Sequence, residues 1–259
     1  MRILFLGDIV GRPGLEAVER HVAQLREELQ LDLVVANGEN VADGVGITQR
    51  LGARLLAAGV DCLTLGNHTW RREGVGSYLA NEERVVRPAN FLSSLPGRGL
   101  TTVTAADGTR VAVISLMGRF TLEPNESPFA IVDGLVEEAA DTAPVILVDF
   151  HGEATSEKVA MGWHLTGRVT AVVGTHTHVQ TSDARVLPGG TAYVTDVGMT
   201  GPHDGVIGVR RDIILRQFLT QLPQRYMVAD GDVRLEGVLI ECDPSSGRAR
   251  SIELFRREA

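Results

Sequence analysis

The chain has 259 residues, 44% apolar and 22% charged, a composition that excludes disordered and collagenous classes and suits one large globular unit spanning residues 1–259. Its 25 Lys and Arg against 33 Asp and Glu give a net charge of −8. The basic footprint that binding to a phosphate backbone requires is missing, so long nucleic acid is not the expected substrate. Cys62 and Cys242 sit in apolar segments without metal-ligand or disulfide-scaffold spacing, and read as small buried hydrophobes. No run approaches the ~20 apolar residues that cross a bilayer, and the first apolar run is too short for a signal peptide. A soluble, cytoplasmic protein is expected, with no membrane partner and with a homo-oligomer left open.

In chain order, Arg2 to Leu6 is an unalternating apolar run, the pattern of a strand buried on both faces, and it stops at Gly7-Asp8. Gly11, Pro13 and Gly14 punctuate a loop before Leu15, Val18, Val22, Leu25 and Leu29 mark a helical stripe that also carries His21. A strand from Asp32 to Ala36 delivers Asn37-Gly38-Glu39-Asn40. A helix from Thr48 to Ala58 stops at Gly59, and Val60 to Leu65 leads into Gly66-Asn67-His68-Thr69. A short polar helix over Arg71 to Ala80 precedes an edge strand at Val85 to Phe91, where Pro88 is tolerated.

Thr101 to Thr104 and Arg110 to Leu116 flank Asp107-Gly108 and read as a β-hairpin that runs out at Arg119. After a helix over Ala130 to Ala140, the strand Pro144 to Phe150 delivers His151. A helix from Glu157 to Trp163 ends at His164, where a cation suits the helix dipole. The strand Val169 to Val173 runs into Gly174-Thr175-His176-Thr177-His178, whose two histidines share one side if the backbone is extended. A strand at Ala192 to Thr195 opens a glycine-rich loop that carries His203. A helix over Arg211 to Gln221 and a hairpin of Val233 to Cys242 with Ala249 to Phe255 close the chain.

Five strand ends thus present Asp8, Glu39/Asn40, Asn67/His68, His151 and His176/His178. In open α/β sheets the crevice beyond the carboxyl ends of strands is where ligands bind. Imidazoles mixed with carboxylates suit first-row metals, whereas Mg or Ca sites are built mainly of oxygens. There are ligands enough for two ions, and Asp8 and Glu39 offset only half the charge of two divalent ones. Such a cluster attracts an anion, and paired metals that activate a bridging hydroxide fit phosphoester hydrolysis.

The ordered set Asp8, Glu39-Asn40, Gly66-Asn67-His68, His151 and Gly174-Thr175-His176-Thr177-His178 resembles the calcineurin-like metallophosphoesterases. The whole chain looks like their bacterial YmdB-like branch. Carried over by position, the resemblance implies that Asp8, Glu39, Asn40 and His178 hold a first metal. Asn67, His151 and His176 hold a second, with Glu39 bridging the two. It implies iron or manganese, with zinc as a further option, and His68 facing the substrate to orient the phosphate or protonate the leaving oxygen.

Three positions depart from the broad family. Val10 stands where a histidine usually follows the aspartate, Glu39-Asn40 replaces Gly-Asp-x-x-Asp, and Thr69 takes the place of an acidic residue. Asn40 is then the replacement ligand, and the same departures match the YmdB-like branch.

The resemblance implies an α/β fold, a four-layer α/β/β/α sandwich of two mixed sheets. Strands alternating with helices also admit a TIM barrel, but the hairpins break an eightfold alternation and the His-x-His pair comes late in the chain. The implied activity is hydrolysis of small phosphodiesters such as cyclic nucleotides. The alternatives are a phosphomonoesterase or nucleotidase, and a metal-stabilised regulatory protein whose hydrolysis is incidental.

Overall fold

Along the first strand, β1 (Arg2–Leu6), Ile3 and Phe5 enter one apolar core while Leu4 and Leu6 enter another, the two-residue period of a strand covered on both faces. The computed structural model describes residues 1–122 and 124–259. After β1 come β2 (Asp8–Ile9), α1 (Gly11–Glu28), β3 (Leu33–Asn37), α2 (Gln49–Ala57), β4 (Cys62–Thr64), α3 (Val75–Asn81) and β5 (Val85–Val86). The middle of the chain forms β6 (Leu100–Thr104), β7 (Arg110–Met117), α4 (Pro128–Ala140), β8 (Val145–His151), α5 (Thr155–His164) and β9 (Ala171–Thr175). It ends in β10 (Arg185–Leu187), β11 (Thr191–Val194), β12 (Met199–Pro202), α6 (Arg211–Thr220), β13 (Val233–Cys242) and β14 (Ala249–Glu258).

The first sheet runs β2-β12-β13-β1-β3-β4-β5, with β14 paired to the far edge of β13. β1, β3, β4 and β5 are parallel, and β13 lies antiparallel to β1. The second sheet runs β10-β11-β9-β8-β7-β6, parallel from β11 to β7 and antiparallel at both edges.

Three cores separate four layers. One packs α1, α2 and α3 on the outer face of the first sheet through Leu15, Val22 and Leu55. The central core joins the sheets through Phe5, Val35, Val113, Leu147 and Val173. The third seats α4 and α5 on the second sheet through Val132, Val136 and Met161. This is the expected α/β/β/α sandwich, and two open mixed sheets rule out the barrel.

Residues 11–14 are a correction to the sequence reading, because they form the first turn of α1 and not a loop. Gly14 is there for space, since a Cβ would come within 3.0 Å of the Thr200 carbonyl on β12. Of the loop expected from Asp196 to Pro202, Met199–Pro202 is the short strand β12, which pairs with β2 and β13. The edge strand expected over Val85 to Phe91 shrinks to β5, and α3 starts at Val75, four residues later than its polar composition suggests.

Candidate metal centre

The parallel strands β1, β3, β4, β8 and β9 all end at one rim, which brings the eight expected site residues together. His151, fully buried at the end of β8, is the hub. Its Nε2 lies 2.9 Å from Asn67 Oδ1, 3.1 Å from Glu39 Oε1 and 3.1 Å from His176 Nδ1. One ring N–H cannot satisfy three acceptors at once. A cation among them can, and the ligand atoms of Glu39, His151 and His176 all lie within 4.8 Å of one another.

A second group sits beside this one. Asp8 is fully buried; its Oδ2 accepts the His176 amide at 3.1 Å while Oδ1 has no hydrogen-bond partner. Asn40 donates through Nδ2 to the Gly44 carbonyl (2.9 Å) and towards His68 Nδ1 (3.2 Å), and its buried Oδ1 also has no partner. His178 Nε2 lies 3.8 Å from Asp8 Oδ1. Buried oxygens left without donors cost about 1–3 kcal/mol each, so these donor sets fit bound cations. The residues expected to hold the two ions therefore have the chemistry to do so.

Gly66 is required by space more than by its backbone freedom. A Cβ there would come within 3.0 Å of both the His151 ring and Glu39 Oε2. The His176-Thr177-His178 segment is not extended as expected. Both histidines have positive φ, 98° and 62°, a conformation that costs L-residues of order 1–3 kcal/mol. It sends them apart, His176 Nε2 to Glu153 (3.0 Å) and His178 Nδ1 to the Ile207 carbonyl (2.9 Å).

Electrostatics follow from this crowding. Burial pushes the Glu39 carboxyl up, but His151 and His68 outweigh it and hold the group well below its usual range. Burial alone lowers His151, yet Glu39, Asp8 and Asp149 more than reverse this and raise it to about 9. Burial and the neighbouring His151 charge lower His176 to about 3. A proton on His151 therefore stands in for a cation in the metal-free protein.

Its contribution to metal-free stability is complete below the ordinary value of 6.5 and disappears as pH rises through about 9. Metal binding has the opposite sign, expelling the proton and tightening across that window. Titration of manganese into metal-free protein, in buffers of different ionisation enthalpy within the window, is expected to show proton release. Identical heats in every buffer would contradict it.

Beneath His151 lies a polar group that the sequence reading passed over. Thr175 Oγ1 sits 2.8 Å from His151 Nδ1 and donates to Asp149 Oδ1 at 2.7 Å. Asp149 also accepts from Thr64 and Asn37 of the other sheet, and burial raises its carboxyl to about 6. This chain fixes the His151 ring so that Nε2 faces the cluster. The available signal was an aspartate inside the apolar run Val145 to Phe150. Of the remaining histidines, His203 turns to Glu236 (3.3 Å) and His164 to Asp133 (2.9 Å), both outside the cluster.

The centre opens into a cavity of about 530 Å³ whose lining includes Glu39, Asn40, His68, His176 and His178. A family model described as "YmdB-like protein" matches residues 4–255. The chain is 49% identical over 253 residues to the 2′,3′-cyclic-nucleotide 2′-phosphodiesterase of Bacillus subtilis, covering 98% of this chain and 96% of the relative. Among solved structures, a hypothetical protein of Thermus thermophilus superimposes with a TM-score of 0.92 at 42% identity, covering 100% of this chain and 99% of that one. A protein described as a novel phosphatase, from Mycoplasma pneumoniae, gives a TM-score of 0.91 at 32% identity, covering 100% and 93%. The chain belongs to the YmdB-like protein family.

Proposed function

We propose that this protein is a metal-dependent phosphodiesterase that hydrolyses small phosphodiesters, 2′,3′-cyclic nucleotides among them. The observation that carries the reading is the convergence of Glu39, Asn67 and His176 on one nitrogen of His151 at the floor of an open cavity. The name of the Bacillus relative supports the substrate class. In this reading Asp8, Glu39, Asn40 and His178 would hold one ion, and Asn67, His151 and His176, together with Glu39, would hold a second. Imidazole and carboxylate donors favour iron or manganese, then zinc. When bound, the ions polarise the phosphoryl group and lower the pKa of water.

The side chains divide the remaining work. Glu39 accepts the His68 amide at 2.9 Å, which ties the candidate acid to the metal floor. Asn40 donates towards His68 Nδ1, which leaves Nε2–H as the donor of this residue. Hydrolysis of a phosphodiester leaves an alkoxide oxygen that needs a proton, and His68, one-quarter exposed on the cavity wall, supplies it. Asp149 and Thr175 keep His151 oriented, and Glu153 fixes the proton of His176 on Nε2.

His68→Asn is expected to lower kcat by about 10²–10⁴ with bound metal unchanged. The assay compares 2′,3′-cyclic AMP with 3′-AMP, the monoester left when the bond to the 2′ oxygen is broken. Preference for the monoester would replace the diesterase reading with a phosphatase. Full metal occupancy without turnover of either would favour a metal-stabilised regulatory protein.

A further inference from the structure

The cavity has a second wall that the metal centre does not use. Val10, Ile207, Val209, Tyr226, Met227 and Val228 line the same cavity as the histidines, and the Ile207 carbonyl touches His178. Ile207, Tyr226 and Met227 are each about half exposed, at 51%, 51% and 52%. Apolar side chains held in water at the mouth of a polar site call for a ligand that covers them.

Ile207 carries the argument furthest. Val206 and Val209 exchange backbone hydrogen bonds of 2.7 and 3.0 Å, which leaves Ile207 and Gly208 as a two-residue turn. Both have positive φ, 45° and 91°, as in a type I′ turn, where Asn-Gly is the favoured pair and a β-branched residue is out of place. Gly208 is needed there, because a Cβ would press within 3.0 Å of Val10. Nothing in the turn itself calls for isoleucine. What the strained residue provides is a carbonyl that holds His178 at 2.9 Å and an apolar side chain on the cavity wall. The opposite end of the wall is likewise built. Gln217 of α6 donates to the Tyr226 hydroxyl at 2.9 Å, and the Met227 carbonyl accepts the Arg210 amide at 3.0 Å.

We propose that this wall is a nucleobase subsite, in which the base of a cyclic nucleotide lies against Tyr226, Met227 and Ile207 while its phosphodiester sits at the metal centre. The proposal rests on the phosphodiesterase reading and adds where the base lies and how it is recognised. Apart from the Tyr226 hydroxyl, already tied to Gln217, the wall side chains carry no polar atoms to read a base edge. Recognition is therefore by stacking and apolar contact, which every base can supply.

The test compares 2′,3′-cyclic AMP with glycerol 1,2-cyclic phosphate, which has the same five-membered diester and no base. Tyr226→Ala is expected to raise KM for the nucleotide about five- to hundredfold, with KM for the base-free diester unchanged. Ile207→Asn, which suits the turn and keeps the carbonyl on His178, is expected to raise Tm by about 2–4 °C and to raise the nucleotide KM as well. A merely structural residue would not move stability and affinity in opposite senses. KM values for the adenine, guanine, cytosine and uracil substrates are expected to agree within about tenfold, as stacking is sequence-tolerant.

Unchanged nucleotide KM in both variants, or an equal rise for the base-free diester, overturns the subsite and leaves the phosphodiesterase reading standing. Calorimetric binding of 2′,3′-cyclic AMP that weakens in Tyr226→Ala, with no turnover of either diester by the unaltered protein, supports the subsite and sinks the phosphodiesterase.

Discussion

Gly66→Ala is expected to empty the centre of metal and to lower kcat/KM by at least about a hundredfold, the scale of an ångström-sized misplacement of reacting groups. The added methyl carbon has nowhere to go. It would overlap the His151 ring on one side and Glu39 on the other, and both are buried with no freedom to retreat. Overpacking of this kind costs about 1–3 kcal/mol of stability, too little to unfold a domain of this size. Metal analysis of folded Gly66→Ala protein separates the two effects. A variant that folds, binds metal at full stoichiometry and turns over normally would show that the close approach is not needed.

The second large effect is expected away from the metal, at a buried ion pair. Lys158 of α5 and Asp196 are 1% and 0% exposed, and their charged atoms lie 2.7 Å apart. Asp196 Oδ2 also accepts the Thr177 amide at 3.1 Å and hydroxyl at 2.8 Å, while Oδ1 accepts the Gly198 amide. Thr177 is the residue between the two strained histidines, so Asp196 clamps the middle of the segment that presents both imidazoles. Asp196→Ala leaves the Lys158 charge buried without a partner and is expected to cost about 3–5 kcal/mol.

Adding Lys158→Met removes that charge and is expected to restore most of the stability in a urea titration. Metal occupancy should stay low in the double variant, because Thr177 still lacks its acceptor. Recovery of metal binding together with stability would reduce Asp196 to a partner for Lys158 alone.

Much of the architecture was legible because parallel strands covered on both faces read as unbroken apolar runs, and this chain places its candidate ligand residues where those runs stop. Asp8, Asn67 and His151 were found that way. The network below them was harder to see. Asp149, Lys158 and Asp196 lie within or beside apolar elements, and a charged residue there discloses burial only once its partner is known. The cavity wall was illegible for another reason. Ile207 and Tyr226 to Val228 come from irregular chain on either side of α6, where no periodicity shows which way a side chain points. Glycines misled in one place, since Gly14 reads as a helix breaker and serves instead as a gap for the Thr200 carbonyl.

The order of the first sheet sets when the centre can exist at all. β1, which leads to Asp8, has β3 on one side and β13 on the other, and β2 rests on β12. During synthesis Asp8, Glu39 and Asn67 emerge first, the histidines at 151, 176 and 178 follow, and residues 233–242 come near the end. Until then β1 has a bare edge and Asp8 an unfinished support. Although its candidate ligands end at His178, the centre thus waits on the last strands for its frame, because β13 closes the open edge of β1 and backs the β12 on which β2 and Asp8 rest.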